Sequence, residues 1–332
     1  MPRNAKWERV EAAIKGDAVD RVPFGFWMHL PEVDRDAARL AQKTVDLHRA
    51  YDMDYVKVMF RSSWGTEDWG VTFGGYHPTR GYLLTARYSV HSPDDWARLP
   101  ALPPTQGALG EQLRLLRLVR DALQGDAPIM ATLFAPTMLA SQLAGQDAFV
   151  RHLREHSDAL HAGLRTITKT LVDFAQACLA NGADGIFYAI QQASRRILAD
   201  QEYQSVGRPY DRAVLEAFHD QSKLTMLHLH GGDLMFDELA SYPAHVVNWY
   251  DRADGPTLAA ARTMTEKCLA GGLDHERTLM LGTTDEIAAE VHDAVAQANR
   301  RGLLLAPGCG VPCPVPELNL RAAKVASLSA RV

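Results

Sequence analysis

Residues 223–233 read KLTMLHLHGGD. The run is apolar from Leu224 onward with no polar alternation, which is the pattern of a parallel strand covered on both faces. Side chains two apart on a strand share a face, so His228 and His230 look the same way at the end of the element. A Gly-Gly pair then breaks the run.

Working outward, seven other short runs have the same character: residues 21–27 (RVPFGFW), 55–60 (YVKVMF), 129–134 (IMATLF), 184–189 (DGIFYA), 245–250 (HVVNWY), 278–282 (TLMLG) and 302–308 (GLLLAPG). Helical patterns separate them. Residues 148–182 carry apolar positions at helical spacing and stop at Asn181-Gly182, and residues 283–302 open on Thr284 as N-cap and close on Gly302. Eight strands, each followed by helix, predict a single (β/α)8 TIM barrel spanning residues 1–332 as one domain. No G-x-G-x-x-G follows an early strand, which disfavours a doubly wound dinucleotide fold. Residues 61–107 break the rhythm and read as an inserted loop or hairpin region after strand 2.

Composition narrows the function classes. Apolar residues make up 47% and charged residues 23%, as in ordinary soluble globular proteins. A net charge of −5 gives no nucleic-acid or membrane-surface footprint. No apolar run approaches the roughly 18 residues of a membrane span, and the N-terminus lacks the apolar core of a signal peptide. Four cysteines in 332 residues do not make a disulfide framework, so a reducing, cytoplasmic setting is expected.

Barrel enzymes keep their chemistry at the C-terminal ends of the strands. Two imidazoles there would repel if both were charged, whereas a shared cation accommodates both as neutral ligands. The last strand ends in APGCGVPCP, placing Cys309 and Cys313 across the mouth. Two nitrogens, one thiolate and an open position match a catalytic zinc site, with His228, His230, Cys309 and Cys313 as candidate ligands. H-x-H alone is ordinarily structural, and C-x3-C alone is a Pro-rich turn with a buried thiol; their joint placement at strand ends favours metal. Cys178 falls on a helix face and Cys268 near a helix end, and both read as core or surface fillers. His29, Arg61, Tyr188 and Asn248 close other strands and are the candidate catalytic groups. Asp233 could hydrogen-bond an imidazole, or simply shape a turn. Trp27, Trp64, Trp69, Phe73 and Tyr76 would wall a ligand pocket or pack a long loop.

The sequence resembles the uroporphyrinogen decarboxylase superfamily in DRVPFGFW, YDMDYVKVMF, GADGIFYA, LHLHGGD, VNWYDR and PGCGVPCPVPELNLRA. The resemblance implies a barrel and two branches of chemistry. Decarboxylases of tetrapyrroles carry an arginine motif after strand one and an aspartate after strand two. Here WMHLPEVDR offers His29 and Arg35, and Arg61, Ser62 or Ser63 stands where the aspartate belongs. The other branch consists of zinc-dependent methyltransferases acting with corrinoid proteins and thiols, whose motif is H-x-C with a distant C. The matching positions are His228, His230 and Cys309, with histidine replacing the first cysteine. The expectation is a zinc-dependent methyl-group transferase with a small-molecule substrate and a corrinoid as donor or partner, oligomerisation being compatible. Decarboxylation of uroporphyrinogen or a smaller acid is the alternative, and a carrier without chemistry the non-enzymatic one.

Overall fold

In a computed structural model, residues 5–330 are described. The strands are β1 (Val56–Val58), β2 (Thr72–Tyr76), β3 (Leu83–Arg87), β4 (Ile129–Phe134), β5 (Gly185–Ile190), β6 (Leu224–Leu229), β7 (Val246–Trp249), β8 (Cys268–Leu273) and β9 (Leu303–Pro307). Seven of them form one parallel sheet in the order β1-β4-β5-β6-β7-β8-β9, curled into a half-barrel. Every residue of β5, β6, β7, β8 and β9 is buried, the reason these runs are apolar without alternation. β2 and β3 make a separate antiparallel hairpin within residues 61–107.

Three details differ from the sequence expectation. Residues 21–27 form no strand: Phe24 makes one isolated bridge to Leu305, and its carbonyl accepts from Asp54 N at 2.8 Å. Pro23 has no N–H to extend a ladder. Gly25 also lies under the Tyr55 ring, where a Cβ would sit 2.7 Å from its carbons. Residues 278–282, expected as strand 7, contain the short helix Thr278–Leu281, and the strand is β8, CLAGGL. Its glycines disguise it as a turn. Their purpose is close packing: a Cβ on Gly271 would meet Asp251 Oδ1 at 2.6 Å, and one on Gly272 would meet Ala294 Cβ at 2.5 Å. The helix Thr284–Gln297 is capped one residue earlier than expected, by Thr283, in a reciprocal box with Glu286.

The helical stretch after β4 divides into Gln146–Glu155 and Ser157–Ala180, broken at His156. One contiguous apolar cluster includes residues from Val10 to Ala330. Trp64 belongs to it, with ring centroids 5.3 Å from Phe134 and 5.1 Å from Phe174. Trp69 is buried too, its indole N–H donating to Pro100 O. These two aromatics pack the long excursion.

Behind the sheet, Asp211 on the helix Arg208–Phe218 accepts from Tyr188 at 2.8 Å and Tyr203 at 2.6 Å. Burial raises its carboxyl from 3.8 to about 7, against the two hydroxyl bonds that lower it. The folded protein therefore holds this proton where the unfolded chain releases it. Asp211's contribution to stability is complete below about pH 4 and is lost as pH rises toward 7, by at most ~1.4 kcal/mol per pH unit. The stability difference between wild type and Asp211→Asn should shift in the variant's favour across that window, read by thermal melts at successive pH values. A difference independent of pH would contradict the buried acid.

Candidate metal centre

The centre is assembled from the ends of four strands. His228 and Asn248 are register partners on β6 and β7. Asn248 Nδ2 donates to Ala270 O at 2.9 Å on β8 and to Pro307 O at 3.1 Å on β9. With its amide hydrogens spent, Asn248 turns Oδ1 to His228 Nδ1, 2.6 Å away. An acceptor there requires the proton on Nδ1, so the Nε2 lone pair is free. Nε2 lies 3.5 Å from Cys309 Sγ.

His230 follows β6 and presents Nδ1 to the same sulfur at 3.8 Å. The Tyr250 hydroxyl, just past β7, bonds that nitrogen at 3.0 Å. The three ligand atoms of His228, His230 and Cys309 lie within 4.8 Å of one another. Zinc bonds of ~2.0–2.3 Å in a tetrahedron imply ligand-to-ligand edges of roughly 3.3–3.8 Å, so only small movements close the set. Burial pushes the Cys309 thiol up, but His228 and His230 beside it outweigh this and hold it well below the ordinary thiol value. The Phe187 ring stacks on His228, centroids 5.1 Å apart at 25°, and Trp27 meets Phe187 edge-on at 5.1 Å. Imidazoles and thiolate thus sit against an aromatic wall that keeps water off one side.

The other sequence candidates scatter. His29 is half-buried on the same side, and burial, then Lys57, push its imidazole down to about 3. Arg61 is not at the centre, because Ser63, Glu67 and Glu111 occupy its guanidinium. Tyr188 is not there either: alternation on β5 gives the interior to Phe187 and turns Tyr188 outward to Asp211. Cys313 stays outside the cluster, its Sγ donating to His29 O at 3.5 Å, with burial raising the thiol. The hairpin turn lies against it, Thr79 O accepting from Cys313 N at 2.7 Å. Asp233 bonds no imidazole; its carboxylate is 3.9 Å from Arg195. Asn248 and Tyr250 hold the rings instead.

Sequence reasoning missed Tyr250, Lys57 and His275. Lys57 was visible as the one charge inside YVKVMF, and it is buried. His275 follows β8 with its ring 5.1 Å from that of Tyr250, and misplacing that strand concealed it. Burial pushes His275 down to about 4.

A curled parallel sheet bearing a His-His-Cys cluster at its C-terminal edge defines an α/β enzyme-type scaffold with a candidate transition-metal centre. The chain belongs to the uroporphyrinogen decarboxylase (URO-D) family, which it matches over residues 5–326. It is 24% identical to methylcobamide:CoM methyltransferase MtbA of Methanosarcina acetivorans, across 95% of both chains. Methylcobamide:CoM methyltransferase MtaA of Methanosarcina barkeri is 26% identical, over 69% of this chain and 66% of its own. In fold it is similar to a methyltransferase from Methanosarcina mazei, with TM-score 0.83, 20% identity and 98% of both chains covered. It also resembles a B12-independent methionine synthase from Shewanella sp. W3-18-1, with TM-score 0.60, 15% identity, and 93% and 92% covered.

The lowered Cys309 thiol predicts selective chemistry in metal-free protein. At pH 6, iodoacetamide should modify Cys309 on the order of 10-fold or more faster than Cys313, whose thiol is raised. His228→Ala should slow that reaction. Peptide mass spectrometry over time measures both, and equal rates at Cys309 and Cys313 would contradict the assignment.

Proposed function

We propose that the protein is a zinc-dependent methyl-group transferase, acting on a thiol with a corrinoid as methyl donor. The observation that carries this reading is the convergence of His228, His230 and Cys309 on one point, with Asn248 already holding the His228 ring through its other nitrogen. The donor set suits zinc, and three protein ligands leave a fourth position for substrate. Zinc bound there would supply a thiol substrate as thiolate, the nucleophilic form. Asn248 keeps His228 in the tautomer that offers Nε2, whereas the Tyr250 hydroxyl would have to release His230 Nδ1 for that nitrogen to bind the metal. Phe187 and Trp27 screen the aromatic side from water. Relative to a set with two thiolates, imidazole at position 230 removes one negative charge and makes the metal more Lewis-acidic. The relatives named as methylcobamide:CoM methyltransferases support methyl transfer linked to a corrinoid.

Decarboxylation of a porphyrinogen is disfavoured, because substrate carboxylates need cationic partners. Arg61 is engaged by two glutamates, and Arg35 is exposed and bonded to Tyr76. The proposed setting is a single-domain cytoplasmic enzyme. Four free cysteines agree with a reducing compartment, and among the described residues no helix is long and apolar enough to cross a membrane.

Purified protein should contain about one zinc per chain. His230→Ala and Cys309→Ser should each abolish it, and Asn248→Ala should weaken zinc affinity ~10–100-fold by freeing His228. Full metal content in both ligand variants would refute the ligand set.

Chelation should leave circular dichroism and melting largely unchanged, since a core of this size needs no metal staple. Methyl transfer from methylcobalamin to thiols should stop on chelation and return with zinc, while anaerobic incubation with uroporphyrinogen should yield no coproporphyrinogen. Zinc-independent decarboxylation would reverse the reading.

A further inference from the structure

The tip of the β2–β3 hairpin, residues 77–82 (HPTRGY), crosses the mouth of the half-barrel. On one side Gly81 lies against the wall that carries His29 and Cys313. A Cβ there would stand 2.5 Å from Cys313 Sγ and 3.1 Å from His29 Cβ. The Tyr82 ring meets that of His29 edge-on, centroids 6.3 Å apart. On the other side the Arg80 guanidinium pairs with Glu276, the residue after His275, and both Tyr250 and His275 feel its charge. His29 and Tyr250 in turn feel the charge of Cys309, so the metal cluster lies between the two walls that the tip joins.

The tip is tied to itself more firmly than to the barrel. His77 Nδ1 accepts from Arg80 N at 3.2 Å, and the His77 backbone bonds Gly81 at 3.0 Å and Tyr82 at 2.8 Å. The neck behind it is pinned, with the Tyr76 hydroxyl on Asp34 at 2.5 Å and Leu83 N on Ser62 Oγ at 2.7 Å. Beyond the neck, two polar contacts among the described residues hold the tip down. Thr79 O accepts from Cys313 N at 2.7 Å, and Arg80 pairs with Glu276. Apolar burial adds little, because across residues 72–88 only Gly81 and Leu83 are buried. Partly exposed ion pairs and single hydrogen bonds each stabilise weakly. A segment held this way opens at a small fraction of the global unfolding free energy.

We propose that residues 77–82 form a size-selective gate over the metal centre, latched by Arg80 and Glu276 and pivoting about Tyr76 and Leu83. Small molecules reach Cys309 beside the closed tip, whereas bulky ones enter only when the latch parts. Closed, the tip shields the side of the cluster that Phe187 and Trp27 leave open, as active-site lids do. The gate goes beyond the methyl-transfer reading and does not rest on it, because it governs access to Cys309 under any chemistry at the centre.

Two neutral maleimides of different size, N-methylmaleimide and N-(1-pyrenyl)maleimide, test this on full-length protein stripped of metal by chelation. Peptide mass spectrometry reads the rate at each cysteine. The readout is the ratio of bulky to small reagent at Cys309, since a change in thiol ionisation moves both rates alike. Arg80→Gln and Glu276→Gln should each raise that ratio about 2–5-fold, the factor that loss of one partly exposed ion pair gives. The reversed pair, Arg80→Glu with Glu276→Arg, should return it to the wild-type value. In protein as purified, hydrogen exchange should quicken by a similar factor in peptides spanning residues 77–82 of the single variants and stay unchanged in β9. Cys178 and Cys268, buried in the core, report any general loosening. An unchanged ratio in both single variants overturns the gate, as does a rise that extends to Cys178 and Cys268. A reversed pair as open as the single variants overturns the latch and the gate with it.

Discussion

The amide of Asn248 is the point on which the site depends. Its two hydrogens tie β7 to the backbones of β8 and β9, and its oxygen holds the His228 ring on β6. Four strand ends are thereby joined through one buried side chain. This bond pattern admits one orientation of the amide, and that orientation in turn admits one tautomer of His228. The imidazole offers Nε2 to Cys309 because two backbone carbonyls have already taken the amide hydrogens and the amide oxygen has taken Nδ1.

Around that link, packing sets what the site can be. The glycines of β8 let the helix Thr284–Gln297 and the Asp251 carboxylate come close, and Asp251 accepts from Gly272 N at 3.1 Å. Gly81, in the hairpin turn, leaves no room for a side chain against Cys313 and His29. The turn therefore lies over one rim, where Arg80 also pairs with Glu276 beyond β8. Cys313 is consumed in this contact, which explains why a second thiol near the cluster takes no part in it. Lys57 is buried beside the aromatic wall, its Nζ against the Met59 thioether and the Phe187 ring.

The sequence by itself determined the parallel α/β character, because strands covered on both faces must be apolar throughout, and LTMLHL, IMATLF and GIFYAI are. It also determined that His228 and His230 share a face, a consequence of the two-residue period, and that Cys309 ends the last strand. Tertiary structure decided the rest. The strand CLAGGL was unreadable because its glycines serve packing against Ala294 and Asp251, neighbours that sequence does not reveal. Tyr188 and Phe187 are equally plausible from composition, and strand register alone decides which of them faces the cluster. Arg61 reads as a substrate cation until Glu67 and Glu111 are found on it. Local periodicity is written in the chain, whereas the partner that satisfies a buried polar group comes from distant residues, and only folding brings it within bonding distance.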